Sequence, residues 1–259
     1  MTTTAKGDCL SNILIFILVV FVQASAFAQN TARVEFQHYC DGKPVVLNQF
    51  IYKNATGTTY QVCQIQYFIS NIAFRVNGKW LCDSTVTYID VEKPLPIVTT
   101  TLPKKNCVVD SVRFTFGLPA EQNSYMPSKK DWAQMYWPEI MGGGYHYMKL
   151  NLKFLNGQDS VYLFNCHLGR SMETDAQQVL QGNITDNNFT LTFPCTFQLS
   201  AKTNPSTTIA IRMNVEKWFS QPNPLIFSNY TKGIMGKQEI MHAICENGER
   251  AFSIQTMHE

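Results

Sequence analysis

A regular alternation of apolar and polar residues is the feature that most limits the fold of this chain. It is clearest at residues 33–38 and 111–116, where Val34, Phe36 and Val112 are each flanked by polar side chains. A period of two is typical of strands that bury one face and expose the other. The same criteria predict further strands at residues 59–67, 69–76, 145–154, 160–167, 189–193 and 207–215.

The connections between these strands indicate an antiparallel arrangement. Asn-Gly pairs at residues 77–78 and 156–157 predict tight hairpin turns. Helical periodicity is confined to about residues 236–246, which the turn formers Asn247 and Gly248 follow. We therefore expect an all-β fold, an antiparallel β-sandwich with long loops and one short C-terminal helix.

The N-terminus has the layout of a secretory signal peptide. Residues 13–22 form an apolar run that Lys6 precedes and the small-residue pattern at 26–28 follows. Ten apolar residues are too few to cross a hydrocarbon core of about 30 Å as a helix. We expect cleavage between Ala28 and Gln29, a mature domain of residues 29–259 in the periplasm, secreted or on the cell surface, and no stable membrane anchor.

The net charge bears on nucleic-acid binding, and the cysteine count bears on disulfide formation. The formal net charge is +2 and no cluster of Lys and Arg is present, so the sequence does not indicate binding to nucleic acid. Of the eight cysteines, Cys9 precedes the predicted cleavage site, which leaves an odd number in the mature chain. Cys82 and Cys107 flank a Pro-rich stretch that a disulfide could close, but the sequence leaves the pairing open.

No arrangement typical of an enzyme emerges from the sequence. It lacks a Gly-x-Ser-x-Gly elbow, and its Gly142–Gly144 run is not followed by the lysine of a phosphate-binding loop. The carboxylates are scattered, so a paired acid and base cannot be placed. We therefore expect a binding protein rather than an enzyme.

Histidine, methionine and tryptophan are the side chains most suggestive of function. His38 and His167 each lie at the end of a predicted strand, where loops gather binding groups. In an extended chain Met135 and Trp137, just before Pro138, would lie on the same side. One interpretation is that these residues pack a loop over the core. The other is a metal site, because imidazole and thioether groups are also the ligands that Cu(I) prefers.

The chain resembles the MbnP-like copper-binding proteins (CorA/MbnP type) in a series of ordered motifs. They are residues 34–38, 67–72, 135–138, 144–150 and 167–169, followed by Met241-His242 and Asn247. Together these motifs span nearly the whole predicted mature domain.

The resemblance implies a β-sandwich that holds copper, with Cu(I) favoured, through histidines and a tryptophan oxidised to kynurenine. Carried over residue by residue, it implies His38 and His167 as ligands and Trp137 as the oxidised residue. Met135, Met241 and His242 are further candidates. It also implies a dihaem cytochrome c peroxidase-like partner of the MbnH type, which would act on Trp137. The alternative is a metal-free secreted β-sandwich that serves as a binding or adhesion module.

Overall fold

The computed structural model describes residues 30–103, 106–124, 126, 129–157, 160–174, 180–199 and 206–258. The predicted signal peptide and the cleavage site at Ala28 and Gln29 lie outside these residues. The strands are β1 Asn30–Cys40, β2 Lys43–Pro44, β3 Tyr52–Lys53, β4 Thr59–Val76, β5 Lys79–Asp83, β6 Thr87–Asp90, β7 Val98–Leu102, β8 Cys107–Phe116, β9 Met148–Leu155, β10 Val161–Leu168, β11 Ser171–Thr174, β12 Leu180–Thr185, β13 Phe189–Leu199, β14 Ser206–Asn214 and β15 Phe252–His258.

Helical structure is short. One α-helix, α1, spans Gln238–Gly248. The 3-10 helices are Ala120–Gln122, Lys130–Met135, Glu139–Met141, Val215–Phe219 and Phe227–Tyr230. Among the described residues, no helix has the length and apolar character needed to cross a membrane.

Two sheets form the sandwich. The smaller sheet has the order β15-β14-β1-β2, with β7 also paired to β1. The larger sheet has the order β10-β9-β4-β8-β13, and β3, β5 and β6 also pair with the long strand β4. Strands β11 and β12 form a separate hairpin.

Aromatic side chains from both sheets fill the space between them. Phe252 of the smaller sheet contacts Phe114 of the larger sheet with the ring centroids 5.5 Å apart. Trp218, which follows β14, packs on Phe116 at 5.1 Å and is fully buried. Burial of such rings is a main source of stability, since each removes about 150–250 Å² of surface from water.

The prediction of an antiparallel all-β sandwich with one short C-terminal helix is confirmed. Burial alternates at every position of β1, from Asn30 to Cys40. The hairpin turn predicted at residues 77–78 joins β4 to β5, with Val76 paired to Lys79. The pair β1 and β14 is an exception to the antiparallel pattern, because these strands run parallel from Thr31–Ser206 to Tyr39–Asn214.

Some element boundaries differ from the prediction. The two strands expected at residues 59–67 and 69–76 form the single strand β4. The strand expected from residue 145 begins at Met148, so Tyr145 and His146 belong to the preceding loop. All seven cysteines of the described chain are free thiols, with Cys82 exposed and Cys107 buried.

Candidate metal centre

The centre is built on the long connection between β8 and β9. Within it two segments clamp each other: the Trp137 amide donates to the Gly144 carbonyl at 2.9 Å, and the His146 amide donates to the Met135 carbonyl at 2.6 Å. An isolated antiparallel bridge joins Tyr136 to Tyr145 between these bonds. The clamp therefore fixes Trp137 and His146 relative to each other.

Trp137 is completely buried and its orientation is fixed from several sides. Its indole Nε1 donates to the Met141 carbonyl at 3.0 Å. Its ring lies against Gly169 so closely that a Cβ at that position would be 2.7 Å from the indole carbons. The His146 ring packs edge-on against the indole with the centroids 4.7 Å apart.

His146 presents an unpaired ring nitrogen inside the protein. Its Nδ1 lies 3.1 Å from the Met135 carbonyl, which can only accept, so Nδ1 carries the proton and Nε2 carries the lone pair. Nε2 is buried and has no hydrogen-bond partner. A histidine that donates one N–H to a carbonyl and keeps the other nitrogen bare has the form of a metal ligand.

His167 lies beside His146, with the ring centroids 5.0 Å apart and the planes at 84°. It is held by Asn151 on the neighbouring strand β9: His167 Nε2 donates to Asn151 Oδ1 at 2.7 Å. The Asn151 amide in turn donates to Gln64 Oε1 at 2.8 Å on strand β4. Since Nε2 carries the proton, Nδ1 is the nitrogen of His167 that has a lone pair.

Both imidazoles are neutral at physiological pH. Burial lowers the pKa of His146 to about 4, and the positive charge of Lys149 contributes to this shift. Burial also lowers the pKa of His167 to about 3, with His146 and Lys149 as further causes. Neutral imidazole is the state that binds metal ions, so these residues are preorganised as ligands.

His38 lies on the other side of the larger sheet. His167 pairs with Lys149, which pairs with Gln66, so these three side chains share one face of the sheet. The next residue, Tyr67, points to the opposite face, and its hydroxyl lies 3.0 Å from His38 Nε2. The backbone of the sheet therefore separates His38 from His167, and one ion cannot bind both in this arrangement.

The remaining predicted ligands are dispersed. Met135 is fully buried, and its carbonyl orients His146. Met241 is buried in α1, whereas His242 on the same helix has a side chain 69% exposed and lies 3.7 Å from Glu246. The structure thus brings Trp137 and His167 together around His146, while ligand roles for His38, Met241 and His242 stay predictions.

Comparison with known proteins agrees with this architecture. The family model described as MbnP matches residues 29–238, which is most of the chain. The chain belongs to the MbnP family. Among solved structures, MbnP from Methylosinus trichosporium matches with a TM-score of 0.55 and 11% identity, covering 88% of this chain and 99% of that chain. At this identity the match shows the fold alone. A search of curated proteins gave no significant match.

A partly buried polar network supports the glycine-rich loop of this MbnP-family protein. Arg170 donates to Asp186 at 2.8 Å and to the Ala120 carbonyl at 3.2 Å. The Tyr147 hydroxyl also donates to Asp186 and accepts from the Asn123 amide at 3.1 Å. Asn123 then accepts from the Tyr145 amide at 2.8 Å. The network joins β10 and β12 to the loop that carries His146, so it fixes the centre in place.

His146 is the member of the centre that sequence reasoning did not select. It lies near the start of the strand predicted at residues 145–154, whereas His38 and His167 were selected for lying at the ends of theirs. The available signal was the position of His146 two residues before β9, the strand that pairs with the strand of His167. That relation becomes visible only when the pairing of β9 with β10 is known.

Proposed function

We propose that this MbnP-family protein binds copper at the centre formed by Trp137, His146 and His167, and that it serves copper acquisition or handling outside the cytoplasm. The observation that carries the proposal is the buried, unpaired Nε2 of His146 beside a second neutral imidazole. An unpaired polar atom in a dry site costs free energy that binding of a ligand would recover.

Local charge supports Cu(I) as the bound form. The charged group that acts on both imidazoles is the ammonium of Lys149, whose Nζ donates to the Gln134 carbonyl at 3.1 Å. A nearby positive charge opposes a divalent cation more than a monovalent one. Neutral imidazoles in low coordination number suit Cu(I), a soft ion.

The proposal includes oxidation of Trp137 to kynurenine by a dihaem cytochrome c peroxidase-like partner. Intact indole is a donor only, and here its N–H already donates to Met141. Opening of the ring would convert that nitrogen to an aniline with a lone pair next to His146. The family resemblance motivates this step, and the burial of Trp137 in contact with His146 supports it.

Export forms the last part of the proposal. The apolar run at residues 13–22 and the small residues at 26–28 support delivery to the periplasm or the cell surface. In such a compartment the protein would act as a binding protein, and the proposed chemistry of its centre requires no turnover.

Copper binding is tested by titrating the reduced, metal-free mature chain with Cu(I) in competition with a chromophoric chelator. We expect one Cu(I) per chain. His146→Gln and His167→Gln should each abolish this binding. Asn151→Ala, which removes the hydrogen bond that orients His167, should weaken it by about 10–100-fold.

His38→Gln is the matched control, because it removes another buried imidazole, which belongs to the smaller sheet and lies on the far side of the larger sheet from His167. This variant should retain the copper. Loss of copper in His38→Gln together with retention in His146→Gln would show that the proposed centre is wrong.

Modification of Trp137 is tested separately by mass spectrometry of the peptide that contains it. After coexpression with the partner, we expect the gain of one oxygen atom and the loss of one carbon atom. An unmodified peptide from copper-replete cells that contain the partner would refute the kynurenine step without affecting the test of the two histidines.

A further inference from the structure

A second group of potential metal ligands lies where the end of β1 meets the 3-10 helix Val215–Phe219. Among the residues that the structure describes, Cys40, Asp41 and Glu216 place a thiol and two carboxylates with their ligand atoms within 4.8 Å of one another. No motif in the sequence links these three residues.

The parallel pairing of β1 with β14 creates this group. Tyr39 pairs with Asn214, so both strands end side by side and the chain continues from each into its next turn. Cys40 and Asp41 leave the end of β1, and Glu216 lies in the 3-10 helix Val215–Phe219 after β14. The pairing of β1 with β14 therefore sets the positions of Cys40, Asp41 and Glu216 relative to one another.

The group is built around buried, polar atoms. Cys40 is 1% exposed and its Sγ lies 3.4 Å from the hydroxyl of Tyr60, which is fully buried. Glu216 Oε2 is buried and has no hydrogen-bond partner. The side chain of Asp41 is exposed, so the group opens to solvent on one side.

The charges within the group favour a cation. Asp41 and Glu216 act on each other and on Cys40 as negative charges, and the positive charge that acts on Glu216 is Lys217 at the exposed surface. The backbone amides of Asp41 and Glu216 stabilise the Glu216 carboxylate, but its buried Oε2 has no partner. A buried oxygen of this kind is costly unless a cation or hydrogen bond compensates it. A divalent ion would neutralise the thiolate and the carboxylates together.

We propose that Cys40, Asp41 and Glu216 form a second metal site, selective for Zn²⁺. Zinc accepts both thiolate sulfur and carboxylate oxygen at about 2.3 and 2.0–2.2 Å, so two such ligands on one ion are roughly 3.5 Å apart. The three ligand atoms now lie within 4.8 Å of one another, so small rotations of the Asp41 and Glu216 side chains would be needed to reach that spacing. Water from the open side completes the fourth position, and the Cys40 proton passes to solvent when the ion binds. The Cys40 thiolate would suit Zn²⁺ and Cu(I) alike, but the two carboxylates are hard ligands that favour the divalent ion.

The test uses the reduced, chelator-treated mature chain and Co²⁺ as a spectroscopic substitute for zinc. We expect one Co²⁺ per chain, with a thiolate-to-cobalt charge-transfer band that one equivalent of Zn²⁺ removes. Cys40→Ser should eliminate the band. Glu216→Gln and Asp41→Asn should weaken binding by at least about tenfold.

Two controls keep the outcome decisive. Cys82→Ser removes an exposed thiol outside the group and should retain the band, and His146→Gln should retain it even if copper binding is lost. Asp41→Asn changes an exposed side chain, so its result does not depend on survival of the fold. Absence of Co²⁺ binding in excess metal, or a band that persists in Cys40→Ser, would overturn the zinc site.

Discussion

The buried imidazoles show how single side chains are prepared for a role by their immediate surroundings. His146 and His167 each donate one N–H to an oxygen that can only accept, which determines the nitrogen that keeps its lone pair. Gly169 matters in a similar way, because any side chain there would collide with the Trp137 ring. Two hydrogen bonds and one glycine thus determine which imidazole nitrogens can bind a ligand and where the Trp137 ring lies.

The depressed histidine pKa values predict an acid-sensitive fold in the metal-free protein. Burial lowers the pKa of His38 and of His146 to about 4, below the usual value of 6.5. Between these values the unfolded chain binds more protons than the folded chain, so stability falls as the pH is lowered from about 6.5 toward 4. Each such histidine contributes roughly 1.4 kcal/mol per pH unit in this window.

Denaturant unfolding at a series of pH values measures this dependence. His146→Gln should reduce the slope by the contribution of one histidine, and His242→Gln at the exposed surface controls for the loss of an imidazole elsewhere. An unchanged slope in His146→Gln would contradict the expectation that this residue is neutral in the fold.

Among the elements, the connection between β8 and β9 and the helix α1 are anchored by side chains rather than by the sheets. The loop that carries Trp137 and His146 depends on the clamp between residues 135–137 and 144–146. Helix α1 depends on Asn247 near its end. This residue is fully buried and donates to the carbonyls of Trp218 and Asn223 at 3.0 and 2.8 Å.

Asn247→Ala should therefore destabilise the protein markedly. The substitution also leaves the Asn223 amide, which donates to Asn247 Oδ1 at 2.8 Å, without its acceptor. We expect a loss of about 3 kcal/mol in the free energy of unfolding, since buried polar groups left without partners are costly. Denaturant midpoints measure it. Asn229→Ala, at an exposed position, should cost less than about 0.5 kcal/mol, and equal effects of the two changes would refute the anchoring role.

At the scale of the whole molecule, one sandwich carries two separate groups of candidate ligands. The imidazoles of the first centre lie at the loop between β8 and β9, and the thiol and carboxylates lie where the parallel strands β1 and β14 end. The same chain also carries the predicted export signal.

Processing is therefore expected to produce a mature chain that begins at Gln29. Expression of the full chain in a bacterium, followed by intact-mass measurement of the exported protein, checks the cleavage site. Replacement of both Ala26 and Ala28 by bulky residues should block cleavage, because signal peptidases require small side chains there. A mature protein that retains residues 1–28 would contradict the signal-peptide prediction.

Much of the fold follows from the sequence because strand faces are set locally. Alternation of side chains along β1 and the turn chemistry of residues 77–78 act within a few residues, so they were readable in advance. The start of β9 could not be predicted from the sequence. Just before Met148, the bridge between Tyr136 and Tyr145 replaces pairing within the sheet.

The sequence by itself determined the β-rich class, the tight hairpin at residues 77–78, the short helix and the presence of histidines suited to a metal ion. The second predicted turn, at residues 156–157, belongs to a longer connection between Leu155 and Val161. Only the tertiary structure decided that His146 and His167 meet, that the sheet separates His38 from them, and that Cys40 and Asp41 meet Glu216. The direction of a side chain depends on the local two-residue period. The identity of neighbouring strands depends instead on how all the apolar faces are buried together, and distant residues of one chain come into contact only through that packing.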